Sequence, residues 1–140
     1  MNVMLDVNVI MDALQERQPF DTEAKEIMLR AQNGEYSCYF TASAATDVFY
    51  LYRKARGLQS AKKALDFLLK TYGVASVTHE DCIKAISSSI DDFEDALVTV
   101  CAKKAGVDYV ISRDDEYLNA NSVVKVIKPK EFLKILTETD

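Results

Sequence analysis

The sequence predicts an α/β fold, a single domain over residues 1–140 with a five-stranded, mainly parallel sheet between two helical layers (three-layer α/β/α). Short apolar runs that fit buried strands alternate with longer segments of helical spacing, the pattern of a parallel sheet covered on both faces. The length of 140 residues suits one domain, and 49% apolar with 28% charged residues is a globular composition. Each of the four glycines follows a helical segment, which is typical of helix C-termini.

Five short segments have the composition of buried strands. The first stops at Asp6 after only three apolar residues, which are too few for a helix. The second is rich in aromatic residues, and the other three are apolar runs that follow helical segments. In chain order the predicted strands are residues 3–5, 36–41, 74–77, 107–111 and 123–127.

Seven segments carry apolar residues three and four positions apart, the spacing of amphipathic helices. In chain order they are residues 9–14, 22–33, 44–56, 60–72, 79–88, 92–104 and a terminal helix from residue 129. Ser43 is the expected N-cap of the third helix, and Pro129 is the expected first residue of the last. Gly73 is expected just past the end of the fourth helix, as its C-terminal cap.

Composition excludes several classes of function. A net charge of −5 is unlike that of proteins that bind nucleic acid through bulk positive charge. Three widely spaced cysteines fit buried thiols, and neither a disulfide set nor a zinc site. No apolar run is long enough to cross a membrane and the start lacks a signal-peptide pattern, so we expect a cytoplasmic protein with no membrane partner. A single histidine and the lack of a glycine-rich phosphate loop argue against two-histidine nucleases and NTPases.

Acidic residues stand where a parallel sheet would bring them together. Asp6 and Asp114 follow the first and fourth predicted strands. Asp47 and Asp95 lie near the starts of helices that follow strands or loops. Because ligands of open parallel sheets bind beyond the carboxyl ends of the strands, we expect these four carboxylates at one edge. Like charges need neutralisation there, and their oxygen atoms suit a hard divalent cation such as Mg²⁺.

Most of these acids also have a structural explanation, which the sequence leaves open. Asp92 and Asp95 fit a helix-capping pair, and Asp47 fits a solvated acid near a helix start. Asp114 fits the first residue of a turn or short helix. Asp6 is different, because an unpaired carboxylate directly after a buried strand is costly. The neighbouring acids are expected to be surface charges: Asp91, Glu94 and Asp115.

Four segments together resemble the motifs of the PIN domain family. They are residues 4–12 (MLDVNVIMD), 41–50 (TASAATDVFY), 92–97 (DFEDAL) and 105–114 (AGVDYVISRD), in the family's order and its strand and helix context. The resemblance covers nearly the whole chain. It implies the PIN fold and a divalent-metal-dependent ribonuclease that cleaves RNA phosphodiester bonds with Mg²⁺ or Mn²⁺ as its cofactor.

Carried onto this sequence, the resemblance implies a particular set of site residues. The catalytic acids would be Asp6, Asp47, Asp95 and Asp114, and all of them except Asp47 would bind the metal. The supporting residues would be Asn8, which holds Asp6, together with Ser43, Ser112 and Asp92. The sequence departs from the family at two points. Many members have a longer Glu in place of Asp47. The third motif offers Asp92, Glu94 and Asp95 for one acidic position, for which we choose Asp95, with Asp92 as the second choice.

Several alternatives stay open at this point. The resemblance fits both a stand-alone ribonuclease and the toxin of a toxin–antitoxin pair, in which a homodimer is blocked by a small antitoxin protein. The candidate RNA-binding cations are Arg113, Arg53, Lys54 and Arg56, although such charge runs are also typical of solvated helix faces. Two hypotheses assign the chain to other classes of protein. One is a catalytically weak or inactive PIN-like module that binds RNA or a protein, and the other is a receiver-like α/β domain that binds Mg²⁺.

Overall fold

Five parallel strands form one sheet in the computed structural model, which describes residues 1–139. The strands are β1 (Asn2–Leu5), β2 (Ser37–Thr41), β3 (Gly73–Ala75), β4 (Tyr109–Ile111) and β5 (Lys125–Ile127). The helices of this part of the chain are α1 (Val7–Leu14), α2 (Asp21–Gln32), α3 (Ala42–Arg56), α4 (Leu58–Thr71), α5 (His79–Ile86), α6 (Phe93–Ala105), α7 (Asp115–Leu118) and α8 (Pro129–Thr139). The predicted α/β class is confirmed.

The central strand of the sheet is β1. The strand order is β3-β2-β1-β4-β5, and each neighbouring pair runs parallel. A receiver-like domain has the order 2-1-3-4-5 instead, so that alternative is wrong. Because β1 pairs with β4 and Leu5 lies opposite Ile111, the carboxyl ends of these two strands are side by side. The residues that follow them, Asp6 and Ser112, are therefore neighbours.

Apolar side chains cover both faces of the sheet. Val3 and Leu5 of β1 are buried on the face that carries α1, α2, α3, α4 and α8. Met4 is buried on the opposite face, where α6 packs and α5 packs against α6 in turn. Burial on two faces is the reason that the strands read as continuous apolar runs instead of alternating ones.

The N-cap of α3 is Thr41, so the expectation for Ser43 is wrong. β2 passes into α3 without a loop, and Thr41 keeps an extended backbone while its Oγ1 accepts the N–H of Ala44 at 3.1 Å. The Ser43 hydroxyl instead hydrogen-bonds to Thr41 Oγ1 at 2.9 Å. The last strand residue serves as the cap, which hydrophobic spacing does not reveal.

Gly73 is the first residue of β3 and does not cap α4, so this expectation is also wrong. A Cβ atom at position 73 would lie 2.4 Å from Cδ1 of Tyr39, the residue beside it in β2. The glycine is therefore needed for a close approach between the ring and the strand. Gly57, by contrast, has φ of +87° and joins α3 directly to α4, which begins two residues before the predicted start.

Other boundaries differ by a few residues from the predicted ones. The last two strands are shorter than expected, beginning at Tyr109 and Lys125, and the short helix α7 follows Asp114. Pro129 is the first residue of α8, as predicted. None of the helices in residues 1–139 combines the length and the apolar character that a membrane span requires.

Candidate active site

Asp6 lies at the carboxyl end of the central strand and caps the helix that follows. Its N–H donates to the carbonyl of Ile111 at 3.0 Å, which extends the β1–β4 ladder by one bond. Its Oδ1 accepts the N–H of Val7 at 2.9 Å at the start of α1. The side chain is only 6% exposed. The sequence thus folds so that a carboxylate is held at the rim of the sheet core.

Two neighbouring side chains fix the second carboxylate oxygen of Asp6. Ser112 Oγ donates to Asp6 Oδ2 at 2.8 Å, and Asn8 Nδ2 donates to the same oxygen at 3.2 Å. Ser112 is fully buried, and its Oγ also accepts the N–H of Asp114 at 3.1 Å. Asn8 Oδ1 accepts the N–H of Arg113 at 3.2 Å. These bonds tie the end of β1 to the loop after β4 and set the orientation of Asp6.

The second group of acids comes from the start of α6. Asp92 caps this helix, with Oδ1 accepting the N–H of Asp95 at 2.9 Å. Asp95 is 7% exposed, and Glu94 in the same turn is solvent-exposed. The capping explanation of Asp92 is therefore structurally correct. It does not remove Asp92 from the site, because a capping carboxylate at a helix start faces the same edge of the sheet as Asp6.

A cavity of about 280 Å³ brings the two groups together. Five carboxylates line it, from three separate segments: Asp6, Asp92, Glu94, Asp95 and Asp114. Asn8 also lines this cavity. Ser112 does not line it, but its hydroxyl donates to Asp6, which does. A larger cavity of about 610 Å³ lies between α5 and α6, but its one acid, Asp81, pairs with Lys104. The titratable chemistry is therefore concentrated in the smaller cavity, named here the acid pocket.

Burial, together with neighbouring carboxylates, raises the pKa values of three acids in the pocket. Burial, followed by the charges of Asp92 and Asp6, raises the pKa of Asp95 to about 7. Burial also raises the pKa of Asp6, against hydrogen bonds from Ser112 and Val7 that lower it. Burial and the charge of Asp47 raise the pKa of Glu94. The pocket is thus a concentration of negative charge without sufficient compensation from the protein.

One predicted catalytic acid, Asp47, and one predicted supporting residue, Ser43, lie outside the lining of the acid pocket. Asp47, on α3, is half-buried and lies near enough to Glu94 for its charge to raise the pKa of Glu94. Ser43 lies one turn earlier and contacts Thr41. Conversely, Glu94, which was expected to be a surface charge, is solvent-exposed and also lines the pocket. The sequence could have indicated this position of Glu94, because Glu94 lies between Asp92 and Asp95 and all residues of a first helical turn lie at the same end of the helix.

Arg113 is engaged with protein groups on the outer side of the site. Its Nε and Nη2 donate to Asp12 Oδ2 at 2.5 Å and Asp12 Oδ1 at 3.0 Å, and its guanidinium lies 4.1 Å from the centre of the Phe20 ring. Asp12 is 1% exposed, so this ion pair is the main compensation for a buried charge. The other predicted RNA-binding cations, Arg53, Lys54 and Arg56, are exposed in the last turn of α3.

Replacing Arg113 by Ala should therefore lower the free energy of unfolding by about 2–4 kcal/mol, because it leaves the Asp12 carboxylate buried with only a distant cation. Urea denaturation of the purified protein measures this loss. Lys128→Ala is the matched control, since Lys128 lines the same outer cavity as Arg113 but is solvent-exposed. Equal stability of Arg113→Ala and the control would show that the Asp12–Arg113 pair does not stabilise the fold.

The donor set of the acid pocket fits a hard divalent cation. Mg²⁺ and Mn²⁺ prefer carboxylate oxygens, and Mg²⁺ keeps several waters while taking one or two carboxylates directly. Asp6, Asp95 and Asp114 are the residues that would hold it, with raised pKa values at Asp6 and Asp95 marking the charge that an ion would neutralise. Within residues 1–139, no three acidic, histidine or cysteine side chains are placed to hold an ion between them. Water molecules would have to complete the coordination.

The fold and site together define an α/β protein with an acidic pocket at the carboxyl edge of a parallel sheet ordered 3-2-1-4-5. The model of the PIN domain family matches residues 2–116 of the chain. The chain belongs to the PIN domain family. No curated protein matches it in sequence.

Solved structures share the fold at low sequence identity. VapBC2 from Rickettsia felis, bound to a DNA fragment from its promoter, has a TM-score of 0.69 and 13% identity, covering 91% of this chain and 98% of that one. A toxin–antitoxin complex from Klebsiella pneumoniae has a TM-score of 0.67 and 17% identity, covering 91% and 97%. VapC20 from Mycobacterium tuberculosis, a toxin that cleaves the sarcin–ricin loop, has a TM-score of 0.68 and 16% identity, covering 86% and 96%.

Proposed function

We propose that the chain is a ribonuclease that depends on Mg²⁺ or Mn²⁺ and hydrolyses RNA phosphodiester bonds. The observation that carries the proposal is the acid pocket, in which carboxylates from the end of β1, the start of α6 and the loop after β4 line one cavity, and in which the pKa values of Asp6 and Asp95 are raised. Structural capping explains the position of Asp92, but it does not explain why Asp6 and Asp95 are both buried at one acidic pocket. Membership of the PIN domain family supports the same activity.

The roles of the residues follow from their contacts. Asp6, Asp95 and Asp114 would hold the ion, which when bound polarises the phosphate and lowers the pKa of a bound water. Ser112 and Asn8 keep Asp6 in one orientation through their hydrogen bonds to Oδ2. Asp92 fixes the start of α6 and with it the position of Asp95. Asp47 acts at the edge of the site, through Glu94.

A cleavage assay tests the proposal directly. Total cellular RNA is incubated with the protein and Mn²⁺ or Mg²⁺, and a parallel sample contains EDTA. We expect discrete fragments with either ion and none with EDTA, because the ion is needed to polarise the phosphate and to lower the pKa of the attacking water. Intact RNA in every sample, or equal cleavage with EDTA, would contradict a metal-dependent ribonuclease.

We further propose that the chain is the toxin of a toxin–antitoxin pair, acts as a homodimer and is blocked by a small antitoxin protein. The support is the fold shared with VapC20 and with the toxin–antitoxin complexes. Light scattering during size-exclusion chromatography measures the mass of the particle. Co-expression with the product of an adjacent small gene should give a complex with reduced cleavage; an active monomer that no neighbouring product inhibits would favour a stand-alone nuclease.

A second candidate function is a catalytically inactive module that binds RNA or a protein. One observation favours it, namely that no three acidic, histidine or cysteine side chains of the described residues are placed to hold an ion. The thermal shift distinguishes the two functions. An inactive module should melt at the same temperature with and without Mn²⁺, whereas a protein that binds the ion is stabilised by mass action.

A further inference from the structure

A single cation shares the acid pocket with the five carboxylates. Among the described residues that line the pocket, Arg17 is the one with a positive charge. It comes from the segment between α1 and α2, whereas three of the acids come from the start of α6, and it lies outside the four segments that resemble PIN motifs. The pocket therefore has an acidic side and one basic position, which is the arrangement that a metal-bound phosphate requires.

Most donor atoms of Arg17 are not used by the protein. Its Nε donates to Gln15 Oε1 at 3.2 Å, and its Nη1 lies 3.8 Å from Asp12 Oδ1, too far for a hydrogen bond. Asp12 is already paired in a bidentate manner with Arg113 and does not need Arg17 as its main partner. The Arg17 side chain is 36% exposed. A guanidinium has five N–H donors, so beyond the Nε bond and the ion pair of Nη1 with Asp12 the terminal nitrogens of Arg17 keep donors for an anion.

The main chain holds Arg17 in place more firmly than a surface loop would. Its N–H donates to the carbonyl of Asp12 at 3.0 Å, and its carbonyl accepts the N–H groups of Phe20 at 2.9 Å and Asp21 at 3.0 Å. The preceding residue, Glu16, has φ of +52°, a left-handed conformation that is unfavourable for a side chain of this size. The tight turn brings the residue that follows it to the pocket.

The charge around the pocket is asymmetric. On the side of Arg17, the end of α3 carries three exposed cations, and Arg56 is near enough to lower the pKa of Glu16. On the opposite side, a shallow cavity that shares Asp92 and Asp95 with the acid pocket is also lined by Asp91 and Glu116. An RNA strand is repelled from the second side and attracted to the first.

We propose that Arg17 binds the non-bridging oxygens of the RNA phosphate that enters the acid pocket, and that the strand leaves past the end of α3. This inference rests on the proposed ribonuclease function and assigns the phosphate contact to Arg17 in place of Arg113. Because Arg17 lines the same cavity as the carboxylates, its guanidinium would hold the phosphate against the ion and stabilise the charge that develops on it.

The test compares Arg17→Ala and Arg17→Lys with the wild type and with Lys70→Ala. Lys70 is an exposed cation on α4 whose removal changes the net charge by the same amount. In single-turnover cleavage with Mn²⁺, we expect Arg17→Ala to lower the limiting rate about 10- to 100-fold and Arg17→Lys to recover part of it. Lys70→Ala should behave as the wild type. Urea denaturation confirms that each variant is folded.

RNA binding without cleavage provides the second measurement. Fluorescence anisotropy of a short labelled single-stranded RNA in EDTA gives the affinity at several salt concentrations. We expect Arg17→Ala to bind more weakly and its dependence on log salt to fall by about one phosphate contact. If the wild type cleaves no RNA, the proposed ribonuclease function is wrong. The difference in RNA affinity between the wild type and Arg17→Ala still tests whether Arg17 binds the phosphate. Equal affinity and salt dependence of Arg17→Ala and Lys70→Ala would overturn the inference.

Discussion

Asp6→Asn and Asp95→Asn should each lower metal-dependent RNA cleavage by at least about 100-fold, more than is typical of a residue that only orients a ligand. The amide is nearly isosteric with the carboxylate but supplies one neutral oxygen in place of a shared negative charge. Asp95 uses its backbone N–H and carbonyl, not its side chain, for the bonds to Asp92 and Thr99. Asp95→Asn therefore removes the charge with little effect on the helix.

Asp66→Asn is the control for this comparison. Asp66 is an exposed acid on α4 that pairs with Lys70, and it does not line the acid pocket. Initial cleavage rates at saturating Mn²⁺ should be the same for Asp66→Asn and the wild type. Rates of Asp6→Asn and Asp95→Asn within a few-fold of the wild type would show that the acid pocket is not the catalytic centre.

Without metal, Asp95→Asn should be more stable than the wild type near neutral pH. The pKa of Asp95 is raised from 3.8 to about 7 by burial and neighbouring acids, so the folded state binds a proton that the unfolded chain has lost. Below pH 3.8 the carboxyl is protonated in both states and costs nothing. As the pH rises from 3.8 towards 7, the wild type progressively loses stability, and above that range the loss is complete.

The expected difference is on the order of 2 kcal/mol at about pH 8, since each pKa unit corresponds to about 1.4 kcal/mol and solvent screens part of it. Urea denaturation in EDTA at a series of pH values measures it, and the difference should vanish near about pH 4. Added Mn²⁺ should reverse the order, because only the wild type gains stability from the ion. A destabilised Asp95→Asn at every pH would mean that the Asp95 carboxylate is well compensated.

The sequence predicted those features that depend on local pattern and on the geometry of parallel sheets. The alternation of strands and helices fixed the fold class, and the position of Asp6 directly after an apolar run placed it at a sheet edge. Asp114 and Asp95 could be added because parallel strands and the helices that follow them share that edge. These positions can be predicted without knowing any side-chain contact, because the direction of the chain alone determines which end of each strand or helix lies at the edge of the sheet that carries the site.

Other features depend on contacts between residues far apart in sequence, which local pattern does not contain. The Asp12–Arg113 ion pair joins positions about one hundred residues apart, and it engages a guanidinium that was predicted to bind RNA with a carboxylate of the protein itself. Arg17 reaches the pocket only through a turn with an unusual backbone conformation at Glu16. Gly73 was predicted to cap a helix because it follows a helical segment. The reason for the glycine is the ring of Tyr39 in the neighbouring strand, which leaves no room for a side chain at position 73.

The binding of Mn²⁺ is the most direct measurement of the central proposal, that acids from separate segments form one cation site. Isothermal titration calorimetry of the purified protein, in buffers of different ionisation enthalpy, reports both affinity and protons released. We expect the wild type to bind Mn²⁺ with proton release at neutral pH, and Asp6→Asn and Asp95→Asn to bind at least about tenfold more weakly. A wild-type protein that takes up no Mn²⁺, or variants that bind it equally well, would contradict the proposal.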